Sequence, residues 1–469
     1  MRTPVAVLGA GPAGLGAALR LAERDAFHVT VVEKGPAVGG NAGGFELDGV
    51  PVDYGSHRLH PASRPEILSD IQRMLGDDLL LRPRHGRIRL RGRWIHFPLK
   101  PVDLLLHLPP SFSLGAAADA LRKLLKRSID NDATFATVLE AGLGRTICRD
   151  FYFPYARKIW GVAPEELDPV QAHRRVSAGS VGKMVRKVLN ALPGVRTEHT
   201  GRFFYPRGGF GQISRAYSDA CGTRGVDVKL DCRVDSVGLC SGRVNSVSIA
   251  GVSPPLDVRL LLSTIPLPAL VELIHPRAPS DVVHSARALV YRSMLLVYLV
   301  LETDRFTEFD AHYFPGLDVS ITRLSEPKNY GLCDASGVTV LCAELPCSTD
   351  SHWWRAVESE LGSLVLRDLE TAGLRVNAKV RRVVVRRLAQ AYPIYTRSYR
   401  EHFDRLDQWV GTIDGLLTFG RQGLFAHDNT HHTLAMAYAA AECVSDAGTI
   451  DRSRWAVHRA EFESHIVED

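Results

Sequence analysis

A doubly wound α/β fold carrying two further domains is predicted for this 469-residue chain by three observations. A short apolar strand near the start runs into a glycine-rich turn and then an alanine- and leucine-rich helix. The next strand closes on an acidic residue. The length, with 45% apolar residues, suffices for two or three packed domains.

The first strand, Val5-Ala6-Val7-Leu8, leads into Gly9-Ala10-Gly11-Pro12-Ala13-Gly14, and the helix is expected to run to about Glu23. Each glycine answers a steric need: Gly9 permits the tight turn, Gly11 lets backbone approach a pyrophosphate, and Gly14 lets the helix pack close on the strand. The helix start adds unpaired N–H groups and a positive dipole end, so the turn is a phosphate cradle. The second strand, 28–33, ends on Glu33 about 20 positions after Gly14, where a carboxylate can accept both hydroxyls of an adenosine ribose. An acid rather than an arginine here disfavours a 2′-phosphate, and hence NADP. Gly9, Gly11, Gly14 and Glu33 are the expected dinucleotide-binding residues of a Rossmann-like domain.

Beyond position 82, basic and apolar residues alternate on either side of Gly92, with arginines at 87, 89, 91 and 93. This predicts a hairpin with one basic face, either solvated or in contact with an anion. Leucine-rich helical sequence then runs to about Leu192, broken by Pro109-Pro110 and by Gly142 and Gly144, and is read as a helical domain inserted into the dinucleotide fold. Strands are expected at 226–230, 243–250 and 258–266, a second sheet over 285–387, and an alanine-rich helix over 433–444.

Composition narrows the function classes. The formal charge of +5, from 57 basic and 52 acidic residues without a basic block, makes no case for nucleic acid. The eight cysteines are scattered without a C-x-x-C, which predicts reduced thiols in a cytoplasmic protein and neither a zinc site nor a dithiol centre. After Met1 and Arg2 the chain enters its first strand, so no secretory signal is expected. No run reaches the ~18 apolar residues of a membrane-spanning helix. The stretch 102–127, with Leu104-Leu105-Leu106 ahead of a basic end, fits an amphipathic helix packed on its own protein better than one on a membrane surface.

A second glycine-rich segment, Gly39-Gly40-Asn41-Ala42-Gly43-Gly44, directly follows the ribose acid, and this placement resembles the FAD-binding half of the amine oxidase and UDP-galactopyranose mutase superfamily. Four further motifs extend the resemblance along the chain. Gly55-Ser56-His57-Arg58-Leu59-His60 is similar to the loop that the mutases place beside the flavin. Tyr155, Lys158, Trp160-Gly161, Pro164, Glu166-Leu167 and Arg174 are spaced like the mutase segment that holds a nucleotide sugar. Arg207-Gly208-Gly209-Phe210-Gly211 resembles the return of the chain to the flavin. Tyr392-Pro393 and Gly420-Arg421-Gln422-Gly423, ahead of His427-Asp428-Asn429, match the order of the last motifs. Where the mutases carry Tyr-x-Tyr this chain has Phe425-Ala426-His427, which moves the expectation from UDP-galactopyranose itself toward mutase-like oxidoreductases of glycan or natural-product pathways.

The resemblance implies FAD as cofactor, with Gly9, Gly11, Gly14 and Glu33 at its adenosine diphosphate half, Gly40, Arg421, Asp428 and Asn429 around the remainder, and His57 beside the isoalloxazine. It implies Tyr155, Trp160, Arg174, Tyr392 and His427 on the substrate side, His57 and Arg174 being the candidate catalytic residues. The acid and imidazoles at 427, 428, 431 and 432 are read as capping and flavin contacts, and no metal is expected. The expected division is 1–80, 201–284 and 388–469 for the FAD-binding domain with its C-terminal helix, 81–200 for the hairpin and helical substrate domain, and 285–387 for the substrate-side sheet. The expected activity is hydride transfer to flavin from a polar, sugar-containing or nucleotide-linked small molecule, with an electron acceptor that no motif identifies. The alternative is a redox-neutral sugar mutase using reduced flavin N5 as nucleophile.

Overall fold

The computed structural model describes residues 2–98, 107–125, 133–175 and 201–467. The expected amphipathic stretch and the helical run to Leu192 lie partly outside these residues. Thr3–Leu8 forms the middle of a parallel sheet whose spatial order is Leu416–Thr418, Leu260–Ser263, Thr3–Leu8, Phe27–Val32, Asp227–Lys229. Val5 to Leu8 are all buried, as a parallel strand covered on both faces requires. Strands from three distant parts of the chain thus complete one dinucleotide-binding sheet.

The helix Pro12–Ala22 starts with proline where no N–H donor is needed. Its inner face packs on Thr430–Glu442, and the approach is close because Gly16 has no side chain: a Cβ there would stand 3.0 Å from Leu434 and 3.1 Å from Ala437. The C-terminal helix begins earlier than the alanine run suggests because Asn429 sits at its N-cap, with its N–H 3.3 Å from His432 Nδ1.

A seven-stranded sheet lies beside this domain, ordered Val380–Pro393, Tyr291–Leu301, Thr339–Cys347, Arg323–Ser325, Ala311–Tyr313, Gly86–Leu90, Arg93–Phe97. The apolar run at 294–301 has two buried faces. Leu295, Val297 and Leu299 meet Leu361, Val365 and Leu369 of the helix Glu358–Thr371, while Leu296, Tyr298 and Val300 meet Val50 and Val52 of the ribbon Gly44–Leu47/Val50–Asp53. Burying each such side chain stabilises by about 1.5–3 kcal/mol.

The hairpin around Gly92 forms as expected, but it joins this sheet through the parallel pairing of Ala311–Tyr313 with Gly86, Arg87 and Ile88. Its basic face is only partly solvated. Arg87 is stacked between Trp94 at 4.2 Å and Phe309 at 4.4 Å, and Arg89 pairs with Asp318, leaving Arg91 and Arg93 exposed. Short helices including Phe135–Leu143, Phe153–Trp160 and Pro169–Arg175 pack around Leu139, Ile159, Trp160 and Leu167. A four-stranded sheet, ordered Leu256–Asp257, Arg243–Ile249, Val234–Cys240, Ile274–His275, completes the layers. No described helix is long and apolar enough to cross a membrane.

Candidate active site

A cavity of 520 Å³ is lined both by the dinucleotide-binding half and by the seven-stranded sheet. Its first end is the glycine turn. Gly9 has φ +98°, a left-handed conformation that favours glycine, and a Cβ there would lie 2.6 Å from Thr264 Oγ1. Gly11 lines the cavity, and a Cβ on it would meet nothing nearer than Gly39 O at 3.9 Å, so the protein leaves its face open to a ligand. Gly14 does not line the cavity. A Cβ there would come within 1.9 Å of Gly9 O, which is the close helix-to-strand packing expected of the third glycine.

Glu33 lines the same end and is held by backbone: Oε2 accepts from Ala10 N at 2.9 Å and Oε1 from Gly35 N at 2.8 Å. Each oxygen keeps a lone pair for a further donor, as two vicinal hydroxyls provide. Gly40, Arg421, Asp428 and Asn429 also line the cavity. Arg421 donates to Ala391 O at 2.8 Å and lies 4.9 Å from the Tyr392 ring centroid. The Asp428 side chain is buried, and its Oδ2 has no hydrogen-bond partner among the described residues, so the site itself asks for a donor there.

His57 lines the cavity, stacked on Phe210 at 5.3 Å and 27°. Its Nε2 lies 2.9 Å from Tyr54 O. A carbonyl only accepts, so Nε2 carries the hydrogen and Nδ1 the lone pair. Burial pushes the imidazole down to about 4, with the Arg323 and Arg421 charges acting in the same direction. His57 is therefore a neutral acceptor at physiological pH. His60, the second histidine of the loop, also lines the cavity, and its Nδ1 accepts from Ala62 N at 3.1 Å.

The facing wall is polar and cationic. Arg323 Nη2 and Nε contact Glu344 Oε1 at 2.7 and 2.9 Å, and the same oxygen accepts from Ser56 N at 2.9 Å, tying the sheet to the His57 loop. Arg58 pairs with buried Asp310 at 3.3 Å. Arg386 lies 4.3 Å from the Tyr54 ring centroid, and Arg387 is held by the carbonyls of Trp354 and Ala356. Glu344, Arg58, Arg323, Arg386 and Arg387 all line the cavity, and sequence reasoning singled out none of them as a site residue. Arg323, Glu344, Arg386 and Arg387 lie on strands brought together only by sheet order, so no local pattern marks them, whereas Arg58 follows His57 in the loop motif that starts at Gly55.

Of the expected substrate-side residues, Tyr155, Tyr392 and His427 line the cavity. Trp160 stands behind them, edge-on to His427 at 4.9 Å and to Tyr392 at 5.7 Å. Arg174 does not line the cavity. Its guanidinium lies 5.8 Å from the Tyr395 ring centroid, and its carbonyl accepts from Val467 N at 2.9 Å. Val467, unmarked in the sequence, also lines the cavity.

An open glycine face, a doubly held ribose acid and an unpartnered buried carboxylate oxygen in one long cavity fit an extended dinucleotide such as FAD. Comparison with known proteins agrees. Residues 12–444 match the family described as flavin containing amine oxidoreductase. The fold is similar to that of a reduced UDP-galactopyranose mutase, with TM-score 0.79 and 18% identity over 94% of this chain and 93% of that one. It is also similar to a protein assigned as a protoporphyrinogen oxidase from Exiguobacterium sp. 255-15, with TM-score 0.74 and 18% identity over 94% and 98%. For cyclohexylamine oxidase from Brevibacterium oxydans the TM-score is 0.65, at 16% identity over 94% and 98%. Because the family match spans most of the chain, this protein belongs to the flavin containing amine oxidoreductase family and is an FAD-dependent enzyme.

Proposed function

We propose that the protein oxidises a polar, sugar-containing or nucleotide-linked small molecule bearing an anionic group, and does so in the cytoplasm. The observation that carries this reading is the cavity wall, where Arg58, Arg323, Arg386 and Arg387 stand with Glu344. With Arg58 and Arg323 paired to Asp310 and Glu344, the wall keeps an excess of positive charge from Arg386 and Arg387, which disfavours an amine cation and gives a phosphate or carboxylate charge-assisted hydrogen bonds. The chemistry supplied by bound FAD is hydride acceptance, or nucleophilic attack by N5 when reduced.

The chain's own residues orient the substrate and handle its proton. His57 Nδ1 accepts a hydroxyl hydrogen bond or proton, as oxidation of an alcohol carbon requires. Tyr155, Tyr392 and His427 contact the sugar or base, while Trp160 and Arg174 act as positioning residues through His427 and Tyr395. Asp428 Oδ2 and Glu33 hold hydroxyls of the cofactor.

The test is an anaerobic titration of the oxidised protein with a panel of nucleotide sugars and glycosides, following the flavin's visible band. Bleaching is the expected result. A band that persists, with a candidate sugar isomerised only after chemical reduction of the flavin, establishes the redox-neutral mutase reading instead; the fold likeness to UDP-galactopyranose mutase is what keeps that second reading in play. Arg323→Ala is expected to raise the substrate KM by about tenfold or more, the loss of one charged hydrogen bond, with flavin content unchanged.

A further inference from the structure

The helix Pro110–Leu125 turns its polar residues inward and its leucines outward. On the inner face Asp119, with a side chain 9% exposed, accepts from Thr146 N at 2.7 Å, and Gly115 stands so close to Thr146 that a Cβ on it would lie 2.7 Å from Oγ1. On the outer face Leu114 is 71% and Leu121 65% exposed, with exposed Ala118 between them. Positions i, i+4 and i+7 share one side of a helix, so the three residues form a continuous apolar row. Single surface leucines are ordinary, but an aligned row opposite an inward aspartate is not accounted for by the protein's own core.

Cations surround the row. Exposed Arg122 adjoins Leu121, Arg91 of the neighbouring hairpin reaches Ser111 Oγ at 3.4 Å, and exposed Arg145 and Arg149 flank Thr146, on which the helix packs. Three acids answer part of this charge: Asp119 lies 3.8 Å from Arg122, Glu140 3.6 Å from Arg145, and Asp150 2.7 Å from Arg149 and 3.7 Å from Arg91. Positive charge is left in excess, and the sequence continues it with Lys123, Lys126 and Arg127. On its inner side the helix is coupled to the active site, because Phe112 packs into the cluster of Leu108, Ile95 and Phe151, and the Phe151 ring lies 5.8 Å from that of Tyr155, which lines the cavity.

We infer that this face docks on an anionic membrane surface, with Leu114, Ala118 and Leu121 at the acyl boundary and the surrounding arginines on lipid phosphates. The strength of such docking grows with buried apolar area and with attraction to anionic lipid, and this face supplies both. A second copy of the chain fits less well, because a two-fold contact through the same face sets one arginine rim against the other. A protein partner fits less well too, since the row offers leucine and alanine but none of the aromatic anchors that dominate protein interfaces. The sequence favoured packing of this helix on the protein itself, because periodicity reveals an apolar face but not which side the neighbours take, and here Gly115 and Asp119 take it.

The test sediments the full-length, flavin-loaded chain with vesicles of phosphatidylcholine alone and of phosphatidylcholine mixed with phosphatidylglycerol. At low salt the chain is expected to bind the mixed vesicles about tenfold or more better than the neutral ones, and to lose that preference at about 1 M salt, where the screening length falls to about 3 Å. Leu114→Glu combined with Leu121→Glu should weaken binding to the mixed vesicles by about tenfold or more, with flavin content and melting temperature unchanged because both side chains are exposed. Val357→Glu combined with Val457→Glu adds the same charge at two exposed positions outside this helix and should bind as the wild-type chain does. No binding to the mixed vesicles, equal binding to both kinds, binding that survives the double leucine substitution, or an equal loss in the valine control overturns the proposal. A concentration-dependent dimer that forms without vesicles and is abolished by the leucine substitutions also overturns it and assigns the face to a second copy. None of these readouts depends on turnover, so they stand apart from the assignment of substrate.

Discussion

His57 concentrates what this active site asks of one residue. Its Nε2–H is committed to Tyr54 O, so its remaining nitrogen can only accept, and burial holds the imidazole neutral. Its affinity for a proton falls from the ordinary 6.5 to about 4 on folding. The stability gained from keeping it neutral is therefore fully present above pH 6.5 and is lost as pH falls toward 4, an effect of at most about 3 kcal/mol given its partial exposure. Urea melts at pH 7, 5 and 4 should show His57→Gln losing less stability on acidification than the wild-type chain. Parallel pH dependence in the two proteins would remove this role from His57. The same substitution takes away the lone pair, and turnover should drop by about 10²–10⁴-fold with flavin retained.

At the scale of the element, the strand–turn–helix unit from Thr3 to Ala22 carries two glycines that look alike in sequence and do different work. Gly11 faces the cavity with extended backbone and room for a Cβ, so Gly11→Ala obstructs only the cofactor. Gly14 faces Gly9 O, and Gly14→Ala forces the helix away from the strand at a cost of about 1–3 kcal/mol. The expected pair of results is a flavin-free Gly11→Ala protein that melts with the wild-type apoprotein, and a Gly14→Ala protein that is both flavin-poor and several degrees less stable. Equal melting temperatures in the two variants would contradict the division.

At the scale of the whole molecule, Asp53 joins segments distant in the chain. Its Oδ2 accepts from Tyr205 Oη at 2.6 Å, its Oδ1 from Phe210 N at 2.7 Å, and its carbonyl from Tyr298 Oη at 2.6 Å, so one buried residue ties the His57 loop to the strand Arg202–Pro206 and to the seven-stranded sheet. Asp53→Ala leaves a buried hydroxyl and a buried N–H without partners and should cost about 3 kcal/mol, whereas Tyr298→Phe removes one hydrogen bond and should cost about 1 kcal/mol. Chemical denaturation of the apoprotein measures both. Because the cavity lies between the units that Asp53 joins, Asp53→Ala should also bind flavin more weakly, while Tyr298→Phe should not.

Read alone, the sequence determined the dinucleotide half of this protein. The turn, the helix start and the ribose acid are set by backbone sterics and a helix dipole that act within a few residues, so Gly9, Gly11, Gly14 and Glu33 were legible as a unit, and the spacing of later motifs carried the family. The hairpin at Gly92 was legible for the same reason, since alternation at period two is local. Only the tertiary structure decided which residues share the cavity. Arg323 and Glu344 meet Ser56 because three segments converge, His465 reaches Asp428 and Val467 reaches the cavity wall because the chain turns back after the last helix, and Arg174, prominent in its motif, ends against Tyr395 outside the cavity wall. Such neighbours are fixed by sheet order and long-range packing, which leave no periodic trace in the residues they bring together.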